Sequence, residues 1–308
     1  MSAIEIVEVS PRDGLQNEAR VAPTAAKLAL IESLVASGLR RIEAVSFVHP
    51  RLVPTMADAE AVMAAVPRRT DVRYAGLALN ERGVRRAIDA GVDEINFVIP
   101  ATEEFALANQ NTTRARLLDD LETASALAGH ADIPLTLTIA VAFGCPFRGA
   151  VAEAEVAWVA AEARRRAHLA ELALADTIGC GVPRQVRSLF ALPEVRDAAR
   201  LRVHLHETRH TAIANALAAV SVGVQVLDAS VGGLGGCPFA PGAAGNVATE
   251  DLAWALRADG HELEIDLDAA TAAGRAICEV VNVTPRSGLA AAGVFPPSAP
   301  LAVPRQVR

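Results

Sequence analysis

His204 and His206 stand in the stretch Leu201-Arg202-Val203-His204-Leu205-His206. Read as a strand, this stretch projects both imidazoles to the same face. Two imidazoles on one rigid face are half of a divalent metal site. For an isolated pair the plainer reading holds, one histidine in the core and one on the surface. Other residues shift the balance. Asp13 follows the apolar run 4–9, and Asn246 follows the glycine-rich run Gly232-Gly233-Leu234-Gly235-Gly236-Cys237-Pro238. An acid, an amide and two imidazoles, with no thiolate, suit Mg²⁺ or Mn²⁺ better than structural zinc. Taken singly, each has a structural alternative. Asp13 or Asn246 could cap a turn, Cys237 could be a small buried hydrophobe, and the glycine run could cradle a phosphate.

Those residues converge only if the fold brings them together. Strand-like and helix-like stretches alternate along the chain. The spacing predicts strands at 4–9, 41–48, 72–79, 93–99, 135–142, 171–176, 201–206 and 224–229. It predicts helices at 24–37, 56–65, 81–90, 113–128, 151–168, 183–192 and 211–221, and one beginning near Thr249. Residues 10–14 read as a loop. Eight strand–helix units in sequence predict a (β/α)8 TIM barrel over residues 1–270. Residues 271–308 are expected to form a C-terminal helix and arm. An open doubly wound sheet is the competing architecture, but no GxGxxG follows the first strand. In a barrel the chemistry sits at the C-terminal strand ends. Arg12 and Asp13 lie there after the first strand. Glu43, Ser46 and His49 lie in or after the second, and Asn96 in the fourth. Cys145 follows the fifth, Asp176 closes the sixth, and His204 and His206 end the seventh. The glycine run and Asn246 follow the eighth. The first, seventh and eighth strands are neighbours in a closed barrel, so Asp13, His204, His206 and Asn246 are expected around one ion.

Composition narrows the chemistry further. The chain has 308 residues, 52% of them hydrophobic, and a formal net charge of −7. There is no basic patch for nucleic acid and no apolar run long enough to span a bilayer. The cysteines, Cys145, Cys180, Cys237 and Cys278, are scattered without CxxC, so neither a disulfide framework nor a zinc ribbon is expected. Together with a start that lacks the apolar core of a signal peptide, this points to the cytoplasm. Lys27 is the only lysine and falls in a helix pattern, which disfavours a Schiff-base aldolase and leaves metal-assisted chemistry. Abundant arginine and alanine suggest a GC-rich, bacterial source.

The stretch Val7-Glu8-Val9-Ser10-Pro11-Arg12-Asp13-Gly14-Leu15-Gln16-Asn17-Glu18 resembles the 3-hydroxy-3-methylglutaryl-CoA lyase family. So do Ile42-Glu43-Ala44-Val45-Ser46-Phe47-Val48, Gly144-Cys145-Pro146, Asp176-Thr177-Ile178-Gly179, His204-Leu205-His206 and Gly233-Leu234-Gly235-Gly236-Cys237-Pro238 through Asn246. The resemblance implies a metal-dependent barrel lyase cleaving a 3-hydroxy-3-substituted glutaryl-CoA into acetyl-CoA and a 3-keto acid. With a methyl substituent the keto acid is acetoacetate, the setting being leucine or ketone-body metabolism. It implies that Asp13, His204, His206 and Asn246 hold the metal. Arg12 would steady the thioester enolate, Cys237 would deliver or relay a proton, and Glu43 would support the metal and Arg12. Gln16, Ser46, Asn111 and Asp176, with Arg12, are expected on the substrate. The chain departs from the family at Glu207-Thr208-Arg209-His210, where members often have Asp-Thr-Tyr-Gly, and at Asn109-Gln110-Asn111-Thr112. Arg209 is therefore expected at the mouth, reaching a carboxylate or a CoA phosphate. Rival readings are a sibling lyase for a longer branch such as isohexenyl, an acetyl-CoA condensing synthase, and a non-catalytic acyl-CoA-binding protein. The partners expected are an acyl-CoA and further copies of the chain, as a dimer or larger.

Overall fold

A computed structural model describes residues 4–236 and 244–295. Eight parallel strands form a closed barrel in chain order. They are β1 (Glu5–Glu8), β2 (Arg41–Ser46), β3 (Arg73–Ala78), β4 (Glu94–Pro100), β5 (Leu135–Ala140), β6 (Glu171–Asp176), β7 (Leu201–Leu205) and β8 (Val226–Ala229). The ring closes where Glu5 to Glu8 of β1 pair in register with Val226 to Ala229 of β8. This is a TIM barrel, so the first, seventh and eighth strands are neighbours and their C-terminal ends share one rim.

The helices lie outside the barrel and bury apolar faces against the sheet and one another. Helix Thr24–Ala36 buries Leu30, Ile31 and Leu34 and packs against helix Leu267–Val281. The latter runs through the position expected to divide barrel from arm. Helix Glu103–Gln110 follows β4 where the spacing gave none. Among the described residues, no helix is long and apolar enough to cross a membrane.

The barrel interior is charged. Arg41 is buried at the start of β2 and donates to Glu94 of β4 (2.8 Å) and to Glu171 of β6 (2.8 Å). Above it Arg202 of β7, also buried, donates to Asp228 of β8 at 2.6 Å. Buried guanidinium groups tolerate such a place only when carboxylates surround them. A polar column thus runs up the axis to the C-terminal rim.

Two local irregularities set the site. Residues Ser10–Gly14 form a single π-helical turn, in which the Gly14 N–H reaches back to the Val9 carbonyl (3.1 Å). Such turns carry an extra residue and are common at functional sites. The second is a register shift in β2 between Glu43 and Val45. Glu43 pairs with Ala75 and Ser46 with Leu77. Ala75 and Leu77 share a face of β3, so Glu43 and Ser46 share one too, although they are three apart.

Candidate active site

Asp13, on the π turn after β1, meets His204 and His206, at the end of β7. Asp13 Oδ2 lies 3.8 Å from Nε2 of each histidine, and the two Nε2 atoms are 3.1 Å apart. Asn246 donates from Nδ2 to Asp13 Oδ2 at 2.7 Å and to the Leu234 carbonyl at 3.0 Å. Both histidines and Asn246 are buried. The four residues expected around one ion therefore stand together.

Whether they fit a divalent cation is decided by the donor atoms. A six-coordinate Mg²⁺ with ligands at about 2.1 Å places neighbouring ligand atoms about 3 Å apart. The 3.1 Å separation of the imidazole nitrogens meets that spacing, and the 3.8 Å separations approach it. His206 Nδ1 and Asn246 Oδ1 are buried without a hydrogen-bond partner. An orphaned oxygen beside a carboxylate and two imidazoles is a cation site by its chemistry.

The electrostatics agree. Burial raises the Asp13 carboxyl, but the Arg12 guanidinium and the two imidazoles outweigh it and hold the group well below the usual carboxylate range. Burial lowers His204, yet Asp228 and Asp13 beside it bring its net shift upward. Negative charge that favours a proton on His204 favours a metal cation as well.

Arg12 lies against this cluster, 6% exposed. Its guanidinium donates to Asp13 and to Glu43. Glu43 accepts in turn from Asn96 Nδ2 at 2.7 Å, and Asn96 accepts from Thr138 Oγ1 at 2.8 Å. This chain across β2, β4 and β5 fixes the Arg12 side chain from below.

Asp228 completes the arrangement, a residue that was not among those expected at the site. Its Oδ2 lies 3.0 Å from His204 Nδ1, and its Oδ1 accepts from Arg202 Nε. A carboxylate at Nδ1 keeps the proton there and leaves Nε2 as the lone-pair nitrogen. The available signal was one acid inside the apolar strand Val226–Ala229.

The remaining expected residues are placed as follows. Gln16 Oε1 and Ser46 Oγ are buried without partners. Asp176, at the end of β6, accepts the N–H groups of Cys180 and Gly181 at 2.9 Å each and so staples its own loop. Asn111 is an exposed left-handed residue (φ 51°) that ends helix Glu103–Gln110. Arg209 is exposed and donates to the carbonyls of Ile178 (3.1 Å) and Gly179 (2.8 Å), which ties the loop after β7 to that after β6. His49 stands apart, accepting from the Arg51 N–H. Cys237 lies outside the described residues. The glycine run leading to it turns at Gly235, where φ is +115° and a Cβ would stand 2.6 Å from Asn246 Nδ2. Only glycine fits both demands.

The sequence profile of the HMGL-like family matches residues 3–277. The chain belongs to the HMGL-like family. Among its HMGL-like relatives, hydroxymethylglutaryl-CoA lyase of Pseudomonas mevalonii is 41% identical over 297 residues, which are 95% of this chain and 98% of that one. The mitochondrial hydroxymethylglutaryl-CoA lyase of Arabidopsis thaliana is 41% identical over 272 residues, 88% of this chain; the match spans 58% of that relative's length. An HMG-CoA lyase from Acinetobacter baumannii, solved in complex with coenzyme A and 3-methylmalate, superimposes with a TM-score of 0.91. It is 37% identical, and the match covers 97% of this chain and 98% of that one.

Proposed function

We propose that this protein is a divalent-metal-dependent lyase that cleaves 3-hydroxy-3-methylglutaryl-CoA into acetyl-CoA and acetoacetate. The observation that carries this reading is the meeting of Asp13, His204, His206 and Asn246 with the buried Arg12 at one rim of the barrel. The relatives' names and the coenzyme A complex of the A. baumannii lyase support the substrate class.

The reaction is a retro-Claisen cleavage. The 3-hydroxyl loses its proton, C3 becomes a ketone, and the C2–C3 bonding pair moves into the thioester as an enolate. A proton then returns to C2, giving acetyl-CoA. Mg²⁺ or Mn²⁺ held by the four ligands would acidify the 3-hydroxyl and fix it beside a carboxylate oxygen. Arg12 supplies the positive charge for the enolate, and Glu43 and Asp13 hold its guanidinium in place before the substrate arrives. Cys237 is the proton donor in this reading, carried next to Gly236. Gln16 and Ser46 offer buried polar atoms without protein partners to the substrate's polar groups. Asp176 and Arg209 act on the substrate indirectly, through the two loops they tie. The enzyme works as a dimer or larger assembly in the cytoplasm, in leucine or ketone-body metabolism.

The test is acetyl-CoA release from a small panel of 3-hydroxy-3-alkylglutaryl-CoA thioesters. The methyl compound is expected to be cleaved with the highest kcat/KM. An apolar pocket separates homologues by about 1–3 kcal/mol per methylene, so weaker turnover of neighbours accompanies it. No turnover of the methyl compound beside turnover of a longer branch refutes the substrate assignment.

A further inference from the structure

Three segments that carry the site converge on one buried side chain outside it. Glu8 ends β1 and is fully buried. Its Oε1 accepts the backbone N–H of Ser10 (2.9 Å) and of Val231 (3.1 Å), and its Oε2 accepts Thr249 Oγ1 (2.6 Å). Ser10 opens the π turn that bears Arg12 and Asp13. Val231 opens the segment that leads into the glycine run. Thr249 begins the helix just after Asn246. A second buried carboxylate, Glu250, accepts the Gly232 N–H at 3.1 and 3.2 Å through its two oxygens. Nothing cationic neutralises Glu8: among the described residues it has no ion pair within 4 Å. Its contacts are hydrogen bonds alone, and they join strands β1 and β8 to the helix that follows them.

We propose that Glu8 is a positioning residue for the metal centre, its carboxyl holding the turn with Asp13 and, through Thr249, the stretch that begins with Asn246 at the spacing a shared cation needs. The inference rests on the metal-dependent reading above. Asp13 and Asn246 are far apart in sequence, and their side chains meet at 2.7 Å. Ser10 stands shortly before Asp13 and Thr249 shortly after Asn246, and the same carboxyl holds both. Removing that carboxyl deprives two buried N–H groups of their acceptor, and the segments must shift to find others. Burial pushes the Glu8 carboxyl up to about 7. The neutral group serves equally well: its carbonyl oxygen takes the two N–H groups, and its hydroxyl meets Thr249. An amide has the same shape and the same capacity.

The test is a titration of free Mn²⁺ by electron paramagnetic resonance on the full chain, with Tm recorded beside it. The proteins are the wild type, Glu8→Ala, Glu8→Gln and Thr249→Val. Glu8→Ala is expected to weaken Mn²⁺ binding by about 10-fold or more. Glu8→Gln is expected within about 3-fold of the wild type, since the amide keeps every contact, and Thr249→Val to weaken binding by about 3-fold or more, since it removes one contact of three. A residue that only stabilises the fold would lower Tm and leave the Mn²⁺ affinity of the folded protein unchanged. Folded Glu8→Ala with wild-type affinity overturns the proposal, as does Glu8→Gln binding as poorly as Glu8→Ala. Should Glu8→Ala fail to fold, Thr249→Val with wild-type affinity overturns it. A wild type that binds no Mn²⁺ overturns the metal reading itself, and the inference with it.

Discussion

Replacing Asp228 by asparagine changes one atom and reverses the polarity of the His204 imidazole. Arg202 is a pure donor, so the amide oxygen must face Arg202 Nε, where Asp228 Oδ1 now accepts at 2.6 Å. The amide NH₂ then faces His204 Nδ1, which becomes an acceptor. The ring proton moves to Nε2 and points at the space between His206 and Asp13, where the lone pair is needed. Loss of a carboxylate that orients a ligating histidine costs 10- to 100-fold in metal affinity, about 1.4–2.7 kcal/mol. A second cost falls on the fold, because Arg202 loses its nearest countercharge. Removing one partner of a buried pair costs about 3–5 kcal/mol. Here the lower end applies, since carboxylate oxygens of Glu43, Glu94 and Glu171 remain 3.7, 3.5 and 3.9 Å from the Arg202 guanidinium. The two costs are separated by titrating Mn²⁺ against the folded variant well below its Tm and by measuring chemical denaturation in excess chelator. Wild-type Mn²⁺ affinity in folded Asp228→Asn would show that Asp228 does not set the His204 tautomer.

Two further changes test other parts of the account. Cys237→Ala should lower kcat by roughly 10²–10⁴ with little change in KM, the pattern of a proton donor that acts in the transition state; an unchanged kcat would leave the residue outside the chemistry. Glu250 is fully buried, and burial lifts its carboxyl to about 7. The folded state therefore holds its proton, and its contribution to stability is complete below about pH 4.5 and lost as pH rises through 7. Between pH 5 and 8 that loss is roughly 2–3 kcal/mol, so in chelator Glu250→Gln should unfold with a shallower pH dependence than the wild type. Equal slopes would place the titration elsewhere.

The barrel was legible in the sequence because each unit repeats one pattern. Glycines such as Gly38 and Gly91, both at positive φ, end helices before the next strand, and each strand carries a core of apolar residues, β-branched in most of them. The four candidate ligands were legible because barrels place chemistry at strand ends and β1, β7 and β8 are adjacent. The π turn at Ser10–Gly14 was not, since one turn has no periodicity to detect and Pro11 and Gly14 read as loop. Nor was the β2 register shift, without which Glu43 and Ser46 would lie on opposite faces. Asp228, Arg202 and Glu94 were obscured by their surroundings. Each stands among mostly apolar strand residues, and only closure of the barrel shows that the charges face one another. Helix Glu103–Gln110 buries only Phe105 and Ala106, too little to register as an apolar stripe. Its left-handed end at Asn111 gives that asparagine a structural task which composition does not reveal.

The central claim is that this site cleaves 3-hydroxy-3-methylglutaryl-CoA with a divalent cation held by Asp13, His204, His206 and Asn246. Its most direct test is acetyl-CoA release from that thioester by purified protein stripped with chelator and dialysed, before and after addition of Mg²⁺ or Mn²⁺. The stripped protein is expected to show no turnover and to regain it on adding either cation, with His206→Ala requiring about 10-fold more metal or worse. Full turnover in excess chelator would contradict it.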